Sequence, residues 1–308
     1  MASSIPVVDL RDFDAGGDRR AAFTQTLGDA LADLGFVAVT HHGVEHSLLE
    51  DAYRLSAEVF ALPVSTKQQH ETPEDGRQRG YTSFGVEHAK DQDAPDLKEF
   101  WHVGRELPET HPLRVSGDVP ANRFPHEVPE FSRVMKQLFI SQERFANRLL
   151  EAVGDYLGLA EHTFRDLVQD GNSVLRVIHY PDTGDTVPAG AVRAAQHEDI
   201  NLLTVLPAST QPGLELLTRD GSWLPVQTPP NVMICDTGDM MQLITGGRLP
   251  ATTHRVVNPE ASDGGRLSMP FFLHPSPDQM LTPFFDDSAP SIPVREFFLS
   301  RLREIGVA

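Results

Sequence analysis

Hydrophobic residues recur at helical spacing through much of the first half of the chain. The longest example runs from Pro129 to Leu157, where apolar side chains stand mostly three and four positions apart and the proline falls in the first turn. The same spacing predicts helices over Asp18–Leu34, which stops at Gly35, and over Glu45–Phe60. We expect the helix that begins at Pro129 to support a sheet.

Short apolar runs separated by turn residues dominate the second half. Eight such runs are predicted to be strands: Val174–Tyr180, Val192–Leu206 (with a bend), Leu214–Leu217, Ser222–Pro225, Val232–Asp236, Met240–Leu243, Ala251–Val257 and Arg266–Phe272. Many short strands with frequent turns indicate a double-stranded β-helix, or jelly-roll, core, whose two sheets can hold a site between them. We therefore expect a mainly β protein with α, in which a helical N-terminal region precedes the jelly roll and a helix over Ile292–Ile305 closes it.

The segment from Thr72 to His126 is polar and rich in glycine, proline and acidic residues, which predicts long loops around two strands, near Gly80–Phe84 and Leu97–Val103. We divide the chain into a mixed α/β N-terminal region, residues 1–120, and residues 121–308, which hold the long helix, the jelly roll and the closing helix. No internal repeat is visible in the sequence, and we expect the two regions to share one core.

Composition excludes several classes of function. With 40% hydrophobic and 23% charged residues among 308, the chain is expected to be an ordinary globular protein in the cytoplasm, with no membrane segment and no obligate protein partner. A formal net charge of -18 argues against binding nucleic acid. The single cysteine, Cys235, cannot form an intrachain disulfide, and its apolar surroundings predict a buried, inert thiol.

Two histidines and an aspartate form a candidate metal site. His197 and Asp199 stand two apart in an extended run, so both side chains are expected on one face, and His254 lies in a second β-like run. Two imidazoles and one carboxylate leave the opposite positions of a metal open, which is typical of non-haem Fe(II). Zinc remains an alternative, although Glu198 would point away from the shared face and could not serve as a general base there.

Arg266 and Ser268 form a candidate anion site in the next run. They also stand two apart, and the residues after them are largely apolar, as expected for a core strand. A guanidinium and a hydroxyl are costly to bury in such a strand unless they bind an anion. The pair therefore predicts a clamp for a carboxylate, and a dicarboxylate co-substrate is the obvious candidate.

Together these motifs resemble the isopenicillin N synthase-like branch of the 2-oxoglutarate/Fe(II)-dependent dioxygenases. The order His197-x-Asp199, His254 and Arg266-x-Ser268 carries the resemblance. The flanking sequence also resembles that branch, at Gly213-Leu214-Glu215, Trp223-Leu224-Pro225-Val226, Gly238-Asp239 and Thr253-His254-Arg255-Val256. Near the N-terminus the resemblance includes Ile5-Pro6-Val7-Val8-Asp9-Leu10, Leu34-Gly35-Phe36 and His42-Gly43-Val44. The resemblance covers nearly the whole chain.

The resemblance implies an enzyme that uses Fe(II), 2-oxoglutarate and O2. It would oxidise an unactivated C–H of a small organic molecule, by hydroxylation, desaturation or cyclisation, with formation of succinate and CO2. It implies that His197, Asp199 and His254 hold the iron, and that 2-oxoglutarate is bound by three residues: Arg266, Ser268 and Tyr180. Candidate contacts to the primary substrate are Tyr81, Phe84, Arg193 and Phe272.

One departure from the branch lies beside Tyr180. Many members have Asn-x-Tyr-Pro, whereas this chain has Ile178-His179-Tyr180-Pro181, so an amide contact to the co-substrate is absent. Two alternatives also stay open. An oxidase of the same fold would need no 2-oxoglutarate and would form no succinate, and a non-catalytic jelly roll that binds a small ligand would have no need of iron.

Overall fold

The computed structural model describes residues 4–86, 97–182, 193–227, 229–257 and 265–304. Its helices are α1 (Leu10–Ala15), α2 (Gly17–Leu34), α3 (His46–Phe60), α4 (Val64–Gln68), α5 (Pro112–Val115), α6 (Pro129–Leu157), α7 (Thr163–Val168), α8 (Asp239–Ile244) and α9 (Val294–Glu304). The three longest, α2, α3 and α6, follow the predicted helices closely. Among the described residues, no helix combines the length and apolar character needed to cross a bilayer.

The described strands form a large nine-stranded sheet, a second sheet of four strands and one small pair. The first half of the chain supplies β1 (Val7–Asp9), β2 (Phe36–Thr40), β3 (Gly80–Thr82) and β4 (Glu99–Gly104). The second half supplies β5 (Val174–Tyr180), β6 (Ala194–His197), β7 (Leu203–Pro207), β8 (Leu214–Leu217), β9 (Trp223–Pro225), β10 (Val232–Thr237), β11 (His254–Val256), β12 (Arg266–Ser268), β13 (Phe271–Leu273), β14 (Met280–Leu281) and β15 (Ile292–Pro293).

The large sheet joins strands from both halves of the chain. Its order is β1-β2-β10-β7-β13-β5-β4-β3, with β12 also paired to β5, and the second sheet has the order β6-β11-β8-β9. The N-terminal strand β2 pairs with β10 across its whole length, from Val232 opposite Thr40 to Asp236 opposite Phe36. The N-terminal region therefore extends the same sheet that carries the jelly-roll strands.

Two apolar layers lie on opposite sides of the large sheet. One packs the sheet against the helices, and α6 contributes much of it, including Phe131, Leu138 and Phe145. The other lies between the two sheets and includes Phe100 and Ile178 from the large sheet and Leu216 from the second sheet. In β5, Leu175 and Val177 face the helices whereas Ile178 and Tyr180 face the second sheet, as strand alternation requires. The space between the sheets is where a site can form.

The predicted strand boundaries need three corrections. The run Arg266–Phe272 was predicted to be one strand but forms two, β12 and β13, which Met269 and Pro270 separate. The run Met240–Leu243 was predicted to be a strand but lies within helix α8, because Met240, Met241 and Ile244 bury one helical face and a four-residue apolar run does not distinguish the two structures. The bent run Val192–Leu206 is divided between two sheets, with β6 in the second sheet and β7 in the large one. Val192 lies outside the described residues.

A buried charged network joins the large sheet to the helices. The Lys67 ammonium donates to Glu99 at 2.7 Å, His179 Nδ1 contacts the other carboxylate oxygen at 2.8 Å, and the Tyr81 hydroxyl also donates to Glu99. The side chains of Lys67 and Glu99 are only 4% and 8% exposed. Burial raises the pKa of Glu99, but hydrogen bonds from His179, Lys67 and Tyr81 outweigh burial and hold this pKa below its usual value of 4.5.

We expect Glu99→Gln to lower the free energy of unfolding at pH 7 by about 3 kcal/mol, because Lys67 would stay buried without a counter-charge. A carboxylate whose pKa is depressed in the folded state stabilises the protein above its unfolded pKa, and this contribution disappears as the pH falls through the folded value. Urea unfolding should therefore show a difference between wild type and variant that shrinks below pH 4.5. Glu58→Gln, in the exposed pair with Arg54, is the control and should change little.

Candidate active site

His197 and His254 are direct cross-strand partners in the second sheet. His197 is the last residue of β6, His254 is the first residue of β11, and the antiparallel register places one opposite the other. Their ring centroids lie 4.4 Å apart. The Asp199 Oδ1 atom lies 3.8 Å from the Nε2 atom of each ring. The structure thus brings the three predicted metal ligands together, with their ligand atoms within 4.8 Å of one another.

Hydrogen bonds fix the orientation of both imidazole rings. Nδ1 of His197 lies 2.7 Å from the Ala195 carbonyl oxygen, and Nδ1 of His254 lies 3.1 Å from the Thr252 carbonyl oxygen. Because a carbonyl oxygen only accepts, Nδ1 must carry the proton in each ring. A neutral ring of this tautomer presents the Nε2 lone pair, which in both histidines is the nitrogen nearest to Asp199.

The electrostatic surroundings keep His197 in the form that binds a metal. Burial lowers the pKa of His197 first, and the neighbouring His254 lowers this pKa further, against an opposing effect of Asp199. The ring is therefore neutral at pH 7, as a histidine ligand must be. A second buried acid, Asp236, lies close by; burial together with the Asp199 charge raises the pKa of Asp236 well above its ordinary value.

A chain of hydrogen bonds orients the Asp199 carboxylate. Thr204 donates its hydroxyl hydrogen to Asp199 Oδ2, and Asn201 donates to the Thr204 hydroxyl at 2.9 Å. With Oδ2 engaged in this way, Oδ1 is the oxygen that faces the two histidines. Neither Thr204 nor Asn201 was predicted from the sequence, because a hydroxyl and an amide a few residues from the aspartate have no distinctive spacing.

The loop that carries Asp199 is held against the start of α8. The Asp239 backbone N–H donates to the Asp199 carbonyl at 2.7 Å. Gly238 permits this approach, because a Cβ atom at that position would lie only 2.7 Å from the same carbonyl and 2.6 Å from Asn201 Oδ1. The Gly-Asp pair seen in the sequence therefore fixes the position of Asp199, the third predicted ligand.

Arg266 is a buried cation in an unusual position. Its side chain is 2% exposed; Nε donates to the Gln211 carbonyl at 3.0 Å and Nη2 donates to the Ser209 hydroxyl at 2.7 Å. Nη1 is buried and has no hydrogen-bond partner, and no carboxylate of the described residues forms an ion pair with this arginine. Burial lowers the pKa of Arg266. A buried guanidinium with one unused edge fits a site for an anion.

Ser268 and Tyr180 lie beside Arg266. Ser268 is 3% exposed, and its hydroxyl oxygen is 3.2 Å from that of Ser209. Tyr180 is opposite Arg266 in the β5–β12 register, and the guanidinium carbon lies 5.1 Å from the centre of its ring. The structure therefore groups the three residues predicted to bind 2-oxoglutarate. It adds Ser209, which sequence reasoning missed because a serine in a turn is too common to stand out.

The residues predicted to contact substrate separate into different places. Phe272, on β13, is half-buried, and its ring lies 5.4 Å from the Arg176 guanidinium carbon. Phe84 is 44% exposed in the turn after β3. Tyr81 is 1% exposed in the layer that faces the helices, where it bonds Glu99, so the structure does not bring Tyr81 to the metal ligands. Arg193 lies beside Gln211, next to the predicted anion site.

The sheet register shows which residues lie at each end of the space between the two sheets. Along β5, Tyr180 is opposite Arg266, and Ile178 is opposite Ser268. Farther along the same face, Arg176 lies over the ring of Phe100 at 4.5 Å and donates its Nε hydrogen to His102 at 2.7 Å. Phe100 is opposite Ile178 and therefore level with Ser268, whereas Phe272 is opposite Val174, at the other end of β5 from the predicted anion site.

The donor set fits Fe(II). Two imidazole nitrogens and one carboxylate oxygen converge here and would supply one side of a coordination sphere, which would leave positions for other ligands. Glu198 is exposed and accepts a hydrogen bond from Thr253, so its carboxylate is directed away from the cluster, as predicted. This orientation removes the nearby general base that a hydrolytic zinc centre would use.

Comparison with known proteins identifies the family. A family model described as the 2OG-Fe(II) oxygenase superfamily matches residues 171–275, and one described as the non-haem dioxygenase in morphine synthesis N-terminal matches residues 5–129. A solved 2OG-Fe(II) oxygenase family protein from Caulobacter crescentus is 38% identical, with a TM-score of 0.87 over 99% of this chain and 100% of that chain. The chain belongs to the 2OG-Fe(II) oxygenase family.

Other relatives of this oxygenase agree with the assignment. Flavanone 3-dioxygenase 2 of Oryza sativa is 29% identical over 94% of this chain and 79% of its own length. Validamycin A dioxygenase of Streptomyces hygroscopicus is 28% identical over 92% of this chain and 80% of its own length. A full-length Neurospora crassa protein solved with alpha-KG, 22% identical with a TM-score of 0.85 over 98% of this chain and 99% of that chain, shares the fold.

Membership of the family confirms the predicted class of enzyme. This oxygenase is a 2-oxoglutarate-dependent dioxygenase with a jelly-roll core that uses Fe(II), 2-oxoglutarate and O2. The related proteins do not favour an oxidase that dispenses with 2-oxoglutarate or a binding protein without catalysis.

We expect Thr204→Val to weaken Fe(II) binding by about tenfold to a hundredfold, because Asp199 would lose the hydroxyl that orients it. Anaerobic Fe(II) titration of the metal-free protein measures the affinity. Thr204→Ser keeps the hydroxyl and is the matched control, which should bind iron nearly as well as wild type. Equal affinity in the valine variant and wild type would mean that the hydroxyl has no part in holding the carboxylate.

Proposed function

We propose that His197, Asp199 and His254 hold the catalytic Fe(II) of this oxygenase. The observation that carries this proposal is the convergence of the ligand atoms of these three residues within 4.8 Å. The orientation of each ligand supports it, since both Nδ1 atoms bond backbone carbonyls and Asp199 Oδ2 accepts from Thr204. Such supporting hydrogen bonds are the usual companions of metal ligands.

The distal carboxylate of 2-oxoglutarate is assigned to Arg266, Ser268 and Tyr180. The Nη1 atom of Arg266 supports this assignment. It has no hydrogen-bond acceptor among the described residues, and a carboxylate would supply one. The Ser268 hydroxyl lies on the same strand and the same face. Ser209 contacts both Arg266 and Ser268 and therefore positions the pair.

The chain's contribution to the reaction is binding, orientation and exclusion of water. Iron and 2-oxoglutarate, when bound, supply the oxidation of a substrate C–H by O2, with succinate and CO2 as co-products. The two sheets enclose this chemistry between apolar side chains such as Phe36 and Leu216, which keep bulk water out. Held in one orientation by the Ala195 and Thr252 carbonyls, the two imidazoles need no rearrangement when a metal binds.

The primary substrate is a small organic molecule that binds at the Phe272 end of the interior. Flavanone 3-dioxygenase 2 and validamycin A dioxygenase, which are similar to this chain, are named for small-molecule substrates. The rings of Phe100 and Phe272 lie 4.5 Å and 5.4 Å from the Arg176 guanidinium carbon, so this part of the interior suits a compact substrate with both apolar and polar groups. The outcome at the substrate carbon is hydroxylation, desaturation or cyclisation.

We also propose that the chain divides into two regions at about residue 120. Residues 1–120 supply β1 to β4 and residues 121–308 supply the proposed ligands, and the matched family regions, 5–129 and 171–275, support a boundary between them. Because β2 pairs with β10 and β4 pairs with β5, the two regions depend on one another for folding.

We expect His254→Ala to weaken Fe(II) binding by more than about a hundredfold, because one of three protein ligands is lost. Anaerobic titration with Fe(II) followed by 2-oxoglutarate should give wild type the weak visible charge-transfer band of a chelated keto acid, and the variant should give none. His46→Ala, at an exposed position, is the control. A full band in His254→Ala would contradict the assigned ligand set.

We expect Arg266→Met to raise the dissociation constant of 2-oxoglutarate by at least about 30-fold, since its distal carboxylate would lose a charged partner. Arg266→Lys keeps the charge without the planar fork and should be intermediate. The band titration measures affinity, and succinate release with candidate substrates tests the activity. Arg248→Met, at an exposed arginine that lies over Phe285, is the control. Unchanged affinity in Arg266→Met would overturn the anion assignment.

A further inference from the structure

A second buried guanidinium lies beside Arg266. Arg193 immediately precedes β6 and is 5% exposed. Its Nη2 donates to the Gln211 side-chain oxygen at 3.1 Å, while the backbone oxygen of Gln211 accepts from Arg266 Nε at 3.0 Å. Both arginines are thus anchored to one residue, although Arg266 belongs to β12 of the large sheet and Arg193 precedes β6 of the second sheet.

Each of the two guanidiniums has one nitrogen with no acceptor. Among the described residues, the buried Nη1 of Arg193 has no hydrogen-bond partner, and the same is true of the buried Nη1 of Arg266. Within the described parts of the chain, no carboxylate forms an ion pair with either arginine. A single unsatisfied buried cation is already unfavourable, and two that share one anchor are more so unless an anion occupies the space.

The charge of Arg266 influences the ionisation of Arg193. Burial lowers the pKa of Arg193 first, and the charge of Arg266 lowers this pKa further, while Tyr180 and Asp182 act in the opposite direction. Arg193 is therefore influenced by the same residues that surround the proposed distal carboxylate, Arg266 and Tyr180. Phe272, which is opposite Val174, lies at the other end of β5.

We propose that Arg193 is a second cationic residue of the co-substrate site and binds the distal carboxylate of 2-oxoglutarate together with Arg266. The proposal rests on the proposed function, because it uses the same carboxylate. A carboxylate has two oxygens with about four acceptor positions, enough for an Nη1 donor from each arginine and the Ser268 hydroxyl. This assignment moves Arg193 from the predicted substrate contacts to the co-substrate.

Two cations at one carboxylate make the site selective for keto acids that carry a distal charge. A keto acid without that carboxylate, such as 2-oxopentanoate, would leave two buried charges unsatisfied where a one-arginine site would leave one. The same reasoning predicts how the ligand-free protein behaves. Removing the Arg193 charge relieves repulsion with Arg266, so the ligand-free variant should unfold at the same temperature as wild type or higher.

The experiment compares wild type, Arg193→Met, Arg193→Lys and the control Arg219→Met, whose arginine is 70% exposed. Each Fe(II)-loaded protein is titrated anaerobically with 2-oxoglutarate and with 2-oxopentanoate, and the visible band gives the dissociation constants. We expect Arg193→Met to raise the constant for 2-oxoglutarate by about tenfold or more and to leave that for 2-oxopentanoate unchanged or lower. Arg193→Lys should be intermediate, and Arg219→Met should match wild type.

Thermal unfolding of the metal-free proteins gives a second readout. A purely structural Arg193 would lower the midpoint in Arg193→Met and weaken both keto acids equally, and that result would overturn the proposal. Unchanged affinity for 2-oxoglutarate in Arg193→Met would overturn it as well. Absence of the band in wild type would instead refute the proposed function, and this inference with it.

Discussion

The pairing of His197 with His254 across β6 and β11 is the contact on which the rest of the site depends. Opposed residues of an antiparallel pair have Cβ atoms about 4.5–5.5 Å apart, and here the imidazole centroids are 4.4 Å apart. A slip of one residue in either strand would turn a ring to the other face of the sheet. Asp199 joins them because β6 ends at His197 and the following loop is held by the Asp239 amide. Backbone register, rather than attraction among the ligands, assembles the set.

Residues whose positions follow from strand alternation could be predicted from the sequence. In any extended chain, residues two apart such as Arg266 and Ser268 share a face, and the structure places both on β12 as predicted. The long helix α6 was also evident, because its apolar spacing continues over 29 residues. Periodicity failed where the run was short: Met240–Leu243 was predicted to be a strand and belongs to helix α8, which begins directly after Gly238.

Contacts made by distant, common residues could not be predicted. Thr204 and Ser209 have no local signal that separates them from other hydroxyl residues, and their roles depend on which oxygen or guanidinium the fold places beside them. The same limit applies to Tyr81, which was predicted to contact the substrate although its ring lies in the apolar layer that faces the helices. Arg193 shows the limit most clearly, since only the tertiary fold brings it to the residue that anchors Arg266.

The charge distribution links these features to stability. The chain carries a formal net charge of -18, yet the buried Nη1 atoms of Arg193 and Arg266 have no hydrogen-bond acceptor among the residues that the structure describes. The folded protein without ligand therefore retains an unfavourable interaction that a core of apolar residues would avoid. A dicarboxylate that bound only the folded state, as proposed for 2-oxoglutarate, would remove this penalty and stabilise the protein according to its affinity and concentration. On this proposal the ligand-free protein is less stable than a fully apolar interior would make it, and the difference favours binding of the co-substrate.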